Sequence, residues 1–224
     1  MRFVVKITGK AFNEINAGLM DRYRAVLKGL VEKGFRVVVV TGGGRLARDY
    51  IGVARSLGVD SNYWLDTIGI AVSRLNALLL NTILKPYTPP KIPVTLEQVL
   101  DYTSIYKIVV LGGLIPGQST AAVAMEVAEA IGADKVFYMS AIDHVYTKDP
   151  LKHPDAKPLE KITIDELEKL LETKSLPGQY WLLDRQSIEI IKRSKITVHL
   201  THYSKPENIT LFLENKNPGT IITP

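Results

Sequence analysis

One pattern occurs three times in this 224-residue chain: a β-branched run that ends in a glycine-rich, polar turn. Phe3 to Ile7 runs into Thr8-Gly9-Lys10. Val37 to Val40 runs into Thr41-Gly42-Gly43-Gly44-Arg45. Ile108 to Leu111 runs into Gly112-Gly113, with Pro116-Gly117-Gln118-Ser119-Thr120 just beyond. Continuous apolar runs read as strands buried on both faces, the mark of a parallel sheet. Such sheets take their ligands beyond the carboxyl ends of the strands. Glycine lets backbone N–H groups approach an anion closely, and the helix that follows offers its N-terminus to it. Three such turns on one sheet edge point to a ligand, or two ligands, carrying several phosphates.

The segments between the turns alternate helix and strand. Leu19–Glu32 reads as a helix closed by Gly34. Arg45–Leu57 reads as another, with Leu46, Tyr50, Val53 and Leu57 near one face and Gly58 at its end. Tyr63–Leu84 is a longer helix, stopped by the proline-rich stretch from Lys85 to Pro90. Ile92–Val94 is a short strand candidate, and Thr95 can cap a helix at Leu96–Tyr102. Thr120–Ile131 reads as helix and Lys135–Met139 as strand. That alternation indicates an α/β fold with right-handed crossovers. After Ser140 the texture changes. Asp143–Asp149 reads as a turn or hairpin, Lys152–Pro158 as polar loop, and Thr163 and Asp184 each open a helix. Ile196–Leu200 is a strand, Asn208–Leu213 helix or strand, and Gly219–Thr223 a short closing strand.

Composition narrows the partners. No stretch nears the roughly 18 uninterrupted apolar residues of a membrane span. The chain opens directly on a strand, so no signal peptide is expected. With no cysteine there is no disulfide and no thiolate metal site, which suits a cytoplasmic setting. The four histidines show no metal-ligand spacing. The net charge of +5 is mild, and apart from Lys192-Arg193-Ser194-Lys195 the basic residues are scattered. Nucleic-acid binding needs a basic stripe, which is lacking. Polyanionic small molecules fit better.

Gly42-Gly43-Gly44-Arg45-Leu46-Ala47 formally matches the dinucleotide fingerprint G-x-G-x-x-A. That fingerprint needs an acid at the end of the next strand, and Asp66, at the right distance, lies in a helical pattern. A phosphate cradle or a purely structural turn remains. Arg45 and Arg48 favour the cradle, because a guanidinium pairs with phosphate bidentately. No G-x-x-x-x-G-K-[ST] exists, which excludes a P-loop. Lys6 lies inside an apolar strand, where its head either snorkels out at the strand end or meets negative charge at the ligand edge. Asp143 suits a turn, and Asp184 suits a helix N-cap that could also orient a lysine. Tyr146 and Asp149 flank a turn, and the aromatic there stacks on a base or packs against the lobe. Asp66, Gly69, Ser73 and Arg74 share one side of the long helix, with small residues that admit a partner helix or a ligand.

These residues resemble the amino acid kinase fold family, in its archaeal-type uridylate (UMP) kinase branch. The landmarks are Lys6-Ile7-Thr8-Gly9-Lys10, Thr41 to Gly44 with Arg48, Ile68-Gly69-Ile70 with Ser73-Arg74-Leu75-Asn76-Ala77, Gly112-Gly113 with Pro116 to Thr120, Asp143 to Pro150, and Asp184. The Pro-Gly-Gln-Ser-Thr and Ser-Arg-Leu-Asn-Ala segments are the most specific of them, and the resemblance spans nearly the whole chain. It implies a three-layer α/β sandwich with a central, mainly parallel sheet. It implies one domain with an N-terminal lobe of about 1–132 on the UMP side and a C-terminal lobe of about 133–224 on the ATP side, the crossing lying around Ser140–Pro150.

The implied reaction is reversible phosphoryl transfer from ATP to UMP, giving ADP and UDP for pyrimidine nucleotide synthesis. Lys6, Asp143 and Asp184 would be catalytic. Lys6 would sit over the transferring group, and the two aspartates would orient lysines or a water on Mg²⁺. Gly9, Lys10, Gly44, Arg48, Ser140, Tyr146 and Asp149 would bind ATP. Gly43, Asp66, Leu114, Ile115, Pro116, Gly117, Gln118, Ser119 and Thr120 would bind UMP. Backbone N–H groups of Gly9, Gly43, Gly44 and Gly113 would hold phosphates. Mg²⁺ would come in through ATP phosphates and water, and the chain would form a homohexamer, a trimer of dimers. Two positions depart from the pattern. Ala141-Ile142 stands where the family's usual Asn is expected, and His144 stands where it has a glycine, which serves turns with φ > 0. The competing readings are another enzyme of this fold (isopentenyl phosphate, carbamate, aspartate or acetylglutamate kinase), a non-catalytic nucleotide-binding regulator or oxyanion store on the same scaffold, and a dinucleotide oxidoreductase. Asp66, Arg74 and Gln118 to Thr120 argue for a nucleotide acceptor.

Overall fold

The computed structural model describes residues 1–133, 135–150, 152–172 and 182–224. Its elements are β1 (Arg2–Ile7), a 3-10 turn (Gly9–Phe12), α1 (Ala17–Glu32), β2 (Arg36–Thr41), α2 (Gly44–Ser56), α3 (Asn62–Ile83), α4 (Leu96–Ile105), β3 (Ile108–Leu111) and α5 (Thr120–Ala130). There follow β4 (Lys135–Ser140), β5 (Val145–Tyr146), β6 (Pro158–Leu159), β7 (Lys161–Thr163), α6 (Ile164–Glu172), α7 (Arg185–Ser194), β8 (Thr197–His202), α8 (Asn208–Leu213) and β9 (Thr220–Thr223). The β-branched runs form the middle of a sheet ordered β3-β2-β1-β4-β8-β9-β7. Its first five strands are parallel, β9 is antiparallel to β8, and β7 runs parallel to β9.

Helices cover both faces, as continuous apolar strands require. Val4, Val38, Val40 and Val136 turn towards α5, α6 and α7. Phe3, Val5, Val39 and Phe137 turn towards α1, α3 and α8. The helix ends follow local chemistry. Asn16 caps α1 by accepting from the Leu19 N–H at 3.0 Å, and Gly34 ends it at φ +85°. Thr95 caps α4 through the Gln98 N–H at 3.2 Å. Thr163 and Glu166 exchange side-chain-to-backbone bonds in a capping box that opens α6.

Several boundaries differ from expectation. Ile92–Val94 is not a strand. Pro93 has no donor, the Val94 N–H donates to Gln98 Oε1 at 2.8 Å, and the Val94 carbonyl accepts from Arg74, so neither residue offers a ladder an N–H and the Val94 acceptor is engaged elsewhere. The polar stretch Lys152–Pro158 delivers Pro158 to a two-residue strand pairing antiparallel with β5. β7 was not apparent, because three residues are too few for a periodic signal. Asn208–Leu213 is helical. The stripe of Leu46, Tyr50, Val53 and Leu57 on α2 is exposed, and α2 buries only Ala47. Among the described residues no helix is long and apolar enough to cross a membrane.

Candidate active site

Four parallel strands deliver their carboxyl ends to one edge: β1 with Lys6 and Gly9 after it, β2 with Gly42–Gly44, β3 with Gly112–Gly113, and β4 with Ser140. The first two turns touch backbone to backbone. A methyl group on Gly9 would lie 2.0 Å from the Gly44 nitrogen, and one on Gly44 would lie 2.2 Å from the Gly9 carbonyl oxygen. Gly44 also sits at φ +73°, so only glycine meets both demands. Asn13 completes this junction by accepting from the Arg45 N–H at 2.6 Å. The N–H groups of Gly43 and Gly44 find no acceptor among the described residues and open the N-terminus of α2. That is an anion site in form.

The long helix α3 braces the turns from behind. Thr41 Oγ1 donates to the Ser73 carbonyl at 2.9 Å, and Asn76 Nδ2 donates to the Gly42 carbonyl at 2.8 Å. Ser73 Oγ accepts from the Gly113 N–H at 2.8 Å. This last bond corrects one expectation: the Gly113 N–H is held by Ser73, so it is not free to cradle phosphate. Arg74 also differs from its expected part in defining the acceptor. Its guanidinium donates to the carbonyls of Gly113 at 3.0 Å and Leu114 at 3.0 Å, so it shapes the loop from outside. The specificity of the Ser-Arg-Leu-Asn-Ala segment thus has a mechanical basis.

Asp66 and the loop 114–120 come together. Asp66 Oδ2 accepts from the Gly117 N–H at 2.7 Å, where the backbone turns through φ +80°. Ser119 caps α5 by accepting from Ala121 and Ala122, and Thr120 begins that helix. Gln118 donates to Glu126 Oε2 at 2.8 Å. Leu114 is buried, Pro116 half-buried and Ile115 exposed.

Lys6 is the electrostatic centre of the edge. It is 4% exposed, its Nζ lies 3.4 Å from the Ile7 carbonyl oxygen and 5.2 Å from the Tyr138 ring centroid, and no carboxylate pairs with it among the described residues. Burial alone pushes its ammonium down to about 8. A buried cation with no anion beside it is a standing attraction for a negatively charged ligand.

On the far side, Asp143 accepts from the Tyr146 hydroxyl at 3.0 Å and from the His144 N–H at 2.9 Å. Burial pushes its carboxyl up, but the Tyr146 hydroxyl and the His144 charge outweigh that and hold it below the usual carboxylate range. His144 does not adopt a positive φ, so histidine replaces glycine here without backbone strain. Asp184 caps α7 through the Ser187 N–H at 2.7 Å. Neither aspartate reaches Lys6 among the described residues; Asp184 instead acts on the Tyr138 phenol, which burial first and this charge second push up. Ser140 is buried, and its carbonyl accepts from the Tyr203 N–H at 2.7 Å. Asp149 is buried, and its carbonyl closes a turn on Lys152 and His153. Lys10 and Arg48 are exposed, and the Lys10 charge is felt at His202.

Sequence reasoning missed Asn13, the bracing roles of Thr41, Ser73 and Asn76, and Tyr138. Ser73 and Asn76 carried a signal, as polar residues on the buried stripe of an apolar helix. Asn13 acts on the start of α2 and Tyr138 acts across strands, and neither carried one.

A sequence profile described as the amino acid kinase family matches residues 1–202. A uridylate kinase of Staphylothermus marinus is 54% identical over 221 residues, covering 99% of this chain and 98% of that protein. One from Pyrobaculum calidifontis is 43% identical, covering 98% of this chain and 99% of that protein. The crystal structure of uridylate kinase from Archaeoglobus fulgidus superposes with a TM-score of 0.87 at 33% identity, covering 99% of this chain and 100% of the other.

Proposed function

The chain belongs to the amino acid kinase family, and we propose that it is a uridylate kinase, moving the γ-phosphoryl group of ATP to the phosphate of UMP to give ADP and UDP. The observation that carries this reading is Lys6, a buried cation without a carboxylate partner among the described residues, on a sheet edge whose Gly43 and Gly44 N–H groups find no acceptor among those residues.

The UMP phosphate attacks the γ-phosphorus in line, and the bond to the β–γ bridging oxygen breaks as the new one forms. The transition state is loose, so the protein chiefly positions groups and neutralises charge. No general base is needed, because a phosphate nucleophile is already ionised. Lys6 spans the gap between nucleophile and leaving group and takes up spreading charge on the transferring oxygens. The N–H groups of Gly9, Gly43 and Gly44 hold phosphates at the head of α2. Lys10 from the turn after β1, Arg48 from α2, and Ser140, Tyr146 and Asp149 from the lobe that starts at about residue 133 serve ATP. Asp66 and the loop from Leu114 to Thr120 serve UMP in the lobe before it. Asp66 is suited to a ribose diol, since an ionised carboxylate accepts two hydroxyl hydrogens.

Magnesium arrives as part of the donor substrate. The ion would be carried by phosphate oxygens and water, and Asp143 and Asp184 would order those waters. The assembly we propose is a homohexamer, a trimer of dimers. Exposed apolar side chains on α2 and α3, among them Tyr50, Val53, Leu57 and Trp64, support contact between copies. The enzyme works in the cytoplasm.

A panel of nucleoside monophosphates with ATP and Mg²⁺, read by coupled ADP release, tests the assignment. Turnover selective for UMP is the expected result. Turnover with carbamate, acetylglutamate, aspartate or isopentenyl phosphate and none with UMP would place the chain elsewhere on the fold. Thermal stabilisation by UMP without turnover would make it a regulator.

A further inference from the structure

Lys6 and Tyr138 are register partners on adjacent parallel strands, so their side chains leave the same face of the sheet. The ring faces the ammonium at 5.2 Å from its centroid, within the range of a cation–π contact. Both residues are buried. Besides the ring, the Lys6 ammonium has the Ile7 carbonyl at 3.4 Å, and no carboxylate forms a hydrogen bond or ion pair with it among the described residues. The geometry thus sets the aromatic face beside the Lys6 ammonium.

This arrangement solves a particular difficulty. A lysine buried beside a carboxylate is held well but neutralised, and an incoming phosphate must then compete for it. A lysine buried beside aliphatic carbon keeps its charge but has nothing to hold it in place. An aromatic face attracts the cation without cancelling it. We propose that Tyr138 is a positioning residue of the phosphotransferase: its ring holds the Lys6 ammonium at the gap between the two phosphates. The inference rests on the function proposed above. The phenol hydroxyl plays no part in it, so the ring and its electron density are what matter.

The test is a graded series at one position, assayed with ATP, Mg²⁺ and UMP. Tyr138→Phe is expected to keep kcat within about twofold. Phenylalanines carrying increasing numbers of fluorines at 138 are expected to lower kcat stepwise, to about tenfold, because fluorine drains the negative face with little change in ring size. KM for UMP and for ATP should hold within about twofold throughout, since the effect lies in the transition state. Tyr138→Leu should match the most fluorinated variant, and if it does not fold the fluorinated series decides alone. A flat fluorinated series, a loss confined to KM, or a folded Tyr138→Leu with wild-type kcat would overturn the proposal. Absence of UMP turnover in the wild type would overturn the function instead. In that event the proton shifts of the Lys6 ε-methylene, displaced by the ring current and restored in Tyr138→Leu, still report the contact; unchanged shifts would count against it.

Discussion

Replacing Lys6 with methionine is expected to make the free protein more stable while removing its activity. Burial pulls the Lys6 ammonium from 10.5 to about 8. At about 1.4 kcal/mol per pH unit, holding that charge inside costs the folded state roughly 3 kcal/mol near neutral pH. The Tyr138 face returns about 1 kcal/mol. Methionine is unbranched and apolar and fills similar space. The net expectation is a gain of roughly 2 kcal/mol for Lys6→Met at pH 7. The pH dependence is distinctive. The folded protein binds this proton more weakly than the unfolded chain, so the wild type bears the full cost below about pH 8 and is relieved of it as pH rises to 10.5. Urea unfolding of both proteins at pH 7 and at pH 10.5 should therefore show the advantage of the variant shrinking towards zero. In the same preparations kcat should fall by about two orders of magnitude or more, and kcat/KM of the wild type should decline above about pH 8 as Lys6 loses its charge. A variant no more stable than the wild type at pH 7, a gap that ignores pH, or near-normal turnover would refute the reasoning.

Three further substitutions, with one control, probe the rest of the edge. Asp66→Ala removes the acceptor for Gly117 and should raise KM for UMP about tenfold while KM for ATP changes little, checked by initial rates at varied UMP and ATP. Gly44→Ala puts a methyl 2.2 Å from the Gly9 carbonyl oxygen at φ +73°, and should cost about 2 kcal/mol or more together with ATP binding. Gly52→Ala, with nothing within 4 Å in the same helix, is the control and should stabilise by about 0.5–1 kcal/mol in the same denaturation assay. Asn13→Ala should lose about 1 kcal/mol and weaken ATP binding more than UMP binding, measured by calorimetry with each nucleotide.

What the sequence disclosed was local. Val37–Val40 and Ile108–Leu111 announce strands by composition, and Thr95, Thr163 and Asp184 announce helix starts by reach to a backbone three residues on. The glycine turns announced an anion site because glycine is permitted where other residues collide. What stayed hidden depends on pairing between distant segments. That Gly113 gives its N–H to Ser73, 40 residues away, cannot be read from either neighbourhood. Arg74, grouped from the sequence with Asp66 and Gln118 to Thr120 as arguing for a nucleotide acceptor, is engaged by the carbonyls of Gly113 and Leu114, 39 and 40 residues away, which its own neighbourhood does not reveal. Tyr138 reads as one more apolar strand residue until β4 is laid beside β1. The insertion of β9 between β8 and β7 is likewise a property of the assembled sheet.

The bonds by which α3 grips the turns, from Thr41, Ser73 and Asn76, are buried and join uncharged groups. Dissolved salt screens exposed ion pairs but hardly reaches contacts of this kind. The shape of the phosphate seat is thereby insulated from ionic strength, even though the capture of a highly charged nucleotide is not. Raising salt should weaken the encounter while leaving the chemistry of the bound complex untouched.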